Sequence, residues 1–172
     1  LKKSSTPQLV EYTIDEANKL IPLDHNTKRK HYPIRIINVQ GELFFGAAEV
    51  FGGALKSIAE DDISTRVIIL RLKNARDIDA TACLALEQLF NHLRQSNRHL
   101  LACGLTYSNW LVLCDSGVVE HIGKANLFIL DENDPQMSLH RAIVRARQLL
   151  LEKDQVKQEE RSKVSSSVIL AQ

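Results

Sequence analysis

The chain has 172 residues, 44% of them hydrophobic and 25% charged, and a formal net charge of +1. This is the make-up of one soluble globular domain with an ordinary core, and it gives no general electrostatic reason to expect nucleic acid as a partner. No apolar run approaches the roughly 18 residues that a membrane-spanning helix needs.

The chain begins at Leu1 rather than at a methionine, which fits an excised piece of a longer protein or a product of tag cleavage. Its start, "LKKSSTPQ", lacks the apolar core of a signal peptide. Residues 1–32 are polar, charged and punctuated by proline, and they read as a leader that runs into the basic cluster Lys28, Arg29, Lys30 and His31. Beyond Pro33, "IRIINVQ" and "ELFF" are short and rich in branched and aromatic residues, and Gly41 falls between them, so they read as two strands able to pair as a hairpin. From Ala47 the apolar residues Val50, Phe51, Ala54, Leu55 and Ile58 recur at helical steps, interrupted by Gly52 and Gly53.

"RVIILRLK" is a nearly continuous apolar run of strand length, the mark of a central strand covered on both faces. A helix follows with Cys83, Leu86, Leu89, Phe90 and Leu93 on one stripe. "HLLACGL" reads as a further buried strand, "SNWLVLCDSG" as a short helix stopped at Gly117, and "LFILD" as the last strand. The final helix opens with Asp134 as N-cap and Pro135 at its first position, and Leu139, Ile143, Ala146 and Leu150 mark its inner face. Leu70, Leu72, Leu86, Phe90, Leu101 and Ile129 are expected in one core. The tail, 152–172, begins with the charge-balanced "EKDQVKQEERSK" and reads as a fraying helix extension or as disorder. Alternation of strands and helices argues for an α/β layer with parallel central strands, and ligand-facing loops then follow the strand ends.

Cys83, Cys103 and Cys114 lie far apart in segments that read as structured, which fits reduced thiols in a cytosolic setting better than a disulfide set or a zinc site. The histidines at 25, 31, 92, 99, 121 and 140 show no metal-site spacing. No nucleophile elbow, P-loop or dinucleotide fingerprint is present. The sequence thus points to no metal, no cofactor and no enzyme. The best candidate for chemistry is the junction "NARDIDATACL", where Asp77, Asp79 and Thr81 lie between a strand end and a helix start. A helix N-terminus offers free amides and partial positive charge, so Asp79 can cap it and Thr81 can accept a phosphate there. The simpler reading leaves Asp79 as the cap, Asp77 in solvent and Thr81 filling the first turn.

Three stretches, "IRIINVQGELFFGAAEVF", "VIILRLKNARDIDATACLALEQL" and "LLACGLTYSNWLVLCDSGVVEHIGKANLFILDENDPQMSLHRAI", carry a resemblance to the STAS domain of sulfate transporters and anti-sigma factor antagonists. The resemblance covers roughly residues 33–150. It is strongest to the C-terminal cytoplasmic domain of SulP-type anion transporters, whose second strand often has a glycine, a small insert and two phenylalanines, as Gly41 to Phe45 do here. The short link "EDDISTRV" is similar to bacterial members. In the antagonist branch the loop before the second helix reads Asp-Ser-Ser/Thr-Gly and is phosphorylated on the hydroxyl before the glycine. Here Asp79 and Thr81 match the aspartate and the acceptor, while Ala80 and Ala82 replace the first hydroxyl and the glycine.

The resemblance implies a STAS-like α/β fold, a mixed sheet of about five strands with about four helices, over residues 33–151, flanked by a linker at 1–32 and a flexible tail at 152–172. It implies a non-catalytic regulatory and protein-interaction domain, on the cytoplasmic side of a bacterial inner membrane, in a transporter for sulfate or a related anion. Its partners would be the membrane domain of the same transporter and a cytosolic regulatory protein, with Asp77, Asp79 and Thr81 as the contact loop. The alternatives are a free-standing antagonist switched by phosphorylation at Thr81 and a small nucleotide-binding protein.

Overall fold

The computed structural model describes residues 6–24, 31–43 and 47–172. In chain order the elements are β1 (Gln8–Ile14), β2 (Leu20–Pro22), β3 (Ile34–Glu42), α1 (Ala47–Asp61), β4 (Val67–Arg76), α2 (Ala80–Gln95), β5 (His99–Leu105), α3 (Tyr107–Asp115), α4 (Val118–Ile122), a 3-10 turn (Lys124–Asn126), β6 (Leu127–Ile129) and α5 (Met137–Leu170). The six strands form one sheet in the order β2-β1-β3-β4-β5-β6. Neighbours from β3 to β6 run parallel, whereas β1 pairs antiparallel with both β2 and β3.

The apolar run read as a central strand is β4, and its side chains alternate as a pleated strand requires. Ile68, Leu70 and Leu72 join the core under α1, α2, α3 and α4, while Val67 and Ile69 join a second core under α5. Leu100 and Leu101 of β5 divide in the same way. The six residues expected in one core are therefore split between faces. Leu70, Leu72 and Leu86 share the larger cluster with half-buried Phe90 against it, Leu101 belongs to the other face, and Ile129 is 44% exposed.

Residues 34–42 form one continuous strand through Gly41, so the expected hairpin is absent there. Ile34 to Glu42 align with Val67 to Arg76 of β4, and pairing along β4 on one side and β1 on the other leaves no edge for a returning strand. The phenylalanine pair of the "ELFF" segment lies outside the described residues, as do His25 and the basic positions 28–30. The leader reading changes as well. Residues 8–22 supply β1 and β2, and the sheet has six strands rather than about five. Arg147 of α5 clamps the β1–β2 turn through Asn18 Oδ1 and the Asp15 carbonyl, both at 2.8 Å.

Gly104 explains how β4 and β5 approach beyond a register irregularity in β4. At φ +67°, a Cβ there would lie 2.9 Å from the Lys73 backbone nitrogen, so only glycine fits. The last helix starts two residues later than expected: Asp134 accepts from Met137 and Gln136 in the preceding turn, and the helix proper opens at Met137. It continues through the tail to Leu170. Its first half buries Leu139, Ala142, Ile143, Ala146 and Leu149, and everything beyond Lys153 is exposed. Among the described residues no helix is long and apolar enough to cross a membrane.

Candidate functional site

The strand β4 delivers its C-terminal end to α2 through three residues. Asp77 takes the left-handed conformation, φ 56°, which aspartate tolerates better than most residues, and its side chain is exposed. Ile78 is buried and pins the turn to the core. Asp79 is extended, with φ −116° and ψ −175°, and caps α2 by accepting from the Ala82 amide at 3.0 Å. The same carboxylate oxygen accepts from the Thr81 hydroxyl at 2.6 Å. The structure thus brings Asp79 and Thr81 into one hydrogen-bonded unit and leaves Asp77 outside it, facing solvent. Thr81 is half-buried rather than fully exposed. A phosphate on its hydroxyl would displace the bond to Asp79 and set two negative groups side by side.

Cys83 lies one turn further on and is buried. Burial pushes its thiol pKa up, a hydrogen bond with Ser116 opposes this, and the carboxylates of Asp79 and Glu87 raise it further. Burial likewise pushes the Cys103 thiol up to about 12. Neither thiol is a ready nucleophile. Among the described residues no three His, Cys, Asp or Glu side chains gather as a metal site.

Thr81 opens onto a groove of about 440 Å³ between α1 and α2, floored by Ala48, Gly52 and Ala85 and walled by Leu84 and Gln88. The helices meet closely at Gly52, where a Cβ would stand 3.2 Å from that of Ala85. Leu84 is 55% exposed on the rim. A small-residue floor, an exposed leucine and a hydroxyl at a helix start supply no nucleophile–base pair.

At the opposite end of the parallel strands lies a buried charge cluster that sequence reasoning missed. Arg35, fully buried on β3, donates to Glu11 Oε1 of β1 at 3.0 Å and to Asp62 Oδ2, after α1, at 3.4 Å. Burial works to raise the Asp62 pKa, but hydrogen bonds from the Ser64 hydroxyl, His31, and the Ser64 and Tyr32 amides outweigh it and hold the carboxyl well below its usual range. An arginine between two isoleucines in "IRIINVQ" was the available signal, since a charge there must find a buried partner. Its partner Glu11 lies in the stretch read as a leader, which ties that stretch to the domain.

The elements and their order make a STAS-like α/β fold, a mixed sheet with helices on both faces. The chain carries a STAS domain: residues 26–108 match the family model of that name. Comparison with curated protein sequences returns no match. Among solved structures, a sulfate transporter family protein from Wolinella succinogenes aligns at 25% identity and a TM-score of 0.57, covering 79% of this chain and 95% of that one. The murine Solute Carrier 26 family member A9 anion transporter, in its inward-facing state, aligns at 14% identity and a TM-score of 0.61, covering 83% of this chain. This chain spans 22% of that transporter's length. The unphosphorylated anti-sigma factor antagonist SpoIIAA aligns at 13% identity and a TM-score of 0.43, covering 58% of this chain and 82% of that one.

Proposed function

We propose that this STAS domain is the non-catalytic regulatory domain of a bacterial SulP-type transporter for sulfate or a related inorganic anion, carried on the cytoplasmic face of the inner membrane. The observation that carries the reading is the 25% identity to the sulfate transporter family protein, sustained over 79% of this chain and 95% of that one. The membrane domain of the same transporter is the first partner. The loop from Asp77 to Thr81, with the groove between α1 and α2, is the surface offered to it or to a cytosolic regulatory protein.

The test has two parts. The gene upstream of Leu1 is read for a series of long apolar segments, and sulfate uptake is measured in cells carrying the full-length protein with and without residues 8–170. The reading expects such segments and an altered uptake rate at equal membrane abundance. A gene that encodes no membrane segment, or uptake unchanged by the deletion, overturns it.

A further inference from the structure

The turn from α2 into β5 borders a separate cavity of about 240 Å³, at the end of α2 remote from Asp79. Arg94, Arg98 and His99 line it together with Asn97 and Asn126. Two more guanidinium groups are tied to those asparagines: Arg66 donates to the Asn97 carbonyl at 3.2 Å, and Arg145 Nε to Asn126 Oδ1 at 3.1 Å. Two arginines and a histidine thus line one small space, and two further arginines are bonded to residues of its wall. No carboxylate lines it, and none of the ion pairs between described residues involves any of the five.

This concentration stands out in a chain with 22 basic and 21 acidic residues, because gathering like charges costs stability, and Asp62 and Glu60 offset it at Arg98 only from outside the cavity lining. The repulsion is visible at His99. Burial first, then Arg66 and Arg145, hold its pKa below the ordinary value, and only Glu152 opposes them. Arg98 is buried and fixed, with Nη1 donating to the Ala59 carbonyl at 2.6 Å and Nε to Ser96 Oγ at 2.8 Å. Its guanidinium is therefore positioned before any ligand arrives. Phe90 and Ile122 form an apolar wall, which strengthens electrostatic attraction within the cavity.

We propose that this cavity binds a small tetrahedral oxyanion, phosphate or sulfate, held by Arg94, Arg98 and His99 with Arg66 and Arg145 as flanking charge. Guanidinium groups match such oxygens with paired N–H donors. The volume falls below the roughly 300 Å³ at which pockets for drug-sized molecules begin, so it suits the ion or a phosphate headgroup rather than a whole nucleotide. The proposal does not rest on the transporter reading.

The test is titration of the full 172-residue chain with sodium phosphate and sodium sulfate against sodium chloride at equal ionic strength, followed by the His99 ring resonances in NMR. Phosphate or sulfate should move His99 saturably toward its protonated form, and chloride should not. Arg94 is exposed, so Arg94→Gln keeps the fold and should weaken binding about fivefold or more. Arg161→Gln, on the exposed part of α5, should change nothing. Arg145→Gln provides a second variant on a different element. Vesicles of phosphatidylcholine with and without phosphatidylglycerol separate the sources: retention on the anionic vesicles that needs Arg94 and is competed by phosphate assigns a lipid headgroup, and phosphate binding without retention assigns the free ion. A response equal to that of chloride, or affinity unchanged in both Arg94→Gln and Arg145→Gln, overturns the proposal.

Discussion

The two ends of α2 carry opposite chemistry. At its N-terminus Asp79 is engaged by the helix it caps, through the Ala82 amide and the Thr81 hydroxyl. At its C-terminus Arg94, Arg98 and His99 face a cavity and pair with no carboxylate among the described residues. Acid at the start and base at the end both suit the helix macrodipole, so the signs alone need no functional cause. Satisfaction separates the two ends. The acidic end closes on itself beside its groove, whereas at the basic end no carboxylate lines the cavity and Glu60, Asp62 and Glu152 oppose its charge only from outside the lining.

The comparison depends on α2 as the shared scaffold, and the largest effect lies in its middle. Leu86 is 3% exposed in the core beneath α1 and α2, and Leu86→Ala should cost about 2–5 kcal/mol in chemical denaturation. Phe90→Ala should fall near the lower end of that range because Phe90 is only partly buried. A melting temperature within a degree of the parent would show that α2 faces differently from the structure.

Next comes the cap. Asp79→Ala should destabilise by about 1 kcal/mol, the usual loss of an N-cap, and should do so without altering phosphate affinity at the other end of the helix. Coupling between the two would erase the distinction drawn between them. Smaller still in stability is Thr81→Glu, expected at about 1 kcal/mol or less, yet under the proposed transporter function this variant should change transport in the full-length protein while Thr81→Ala is milder. Transport that is identical in both variants would leave Thr81 as an ordinary first-turn residue.

The smallest effect is a pH dependence at the basic end. His99 has a folded pKa below its unfolded value of 6.5, so as pH falls below about 6.5 the unfolded chain takes up the proton first and stability declines. Above that pH the contribution vanishes. Melting curves from pH 7.5 to 5.5 should show this decline, a flatter one in His99→Gln, and a flatter one again in the parent with phosphate present. Parallel curves for parent and variant would place the pH dependence elsewhere.

Much of this was legible residue by residue. The helical spacing of Cys83, Leu86 and Leu93, the unbroken run that became β4, and Asp79 as a cap all follow from local pattern, because hydrogen bonding and side-chain direction repeat over a few residues. The hairpin was misread because a glycine between two branched runs is the same local signal whether the chain turns or continues, as it does through Gly41. The leader was misread for the converse reason: "QLVEYTI" and "LIP" carry weak patterns of their own and become strands only by pairing with β3 and with each other. The tail's charge balance was compatible with helix or disorder, and α5 takes the helical course to Leu170.

The sequence by itself determined the alternation of strands and helices, the helix start at Asp79 and the STAS resemblance, since each rests on neighbours in the chain. Only the tertiary structure decided that Leu101 and Leu70 lie on opposite faces, that Arg35 joins Glu11 to Asp62, and that Arg94, Arg98 and His99 line one cavity with Arg66 and Arg145 bonded to its wall. Those arrangements bring together residues dozens of positions apart. Their partners are chosen by the order of strands in the sheet and by which face each helix covers, and no local spacing records either.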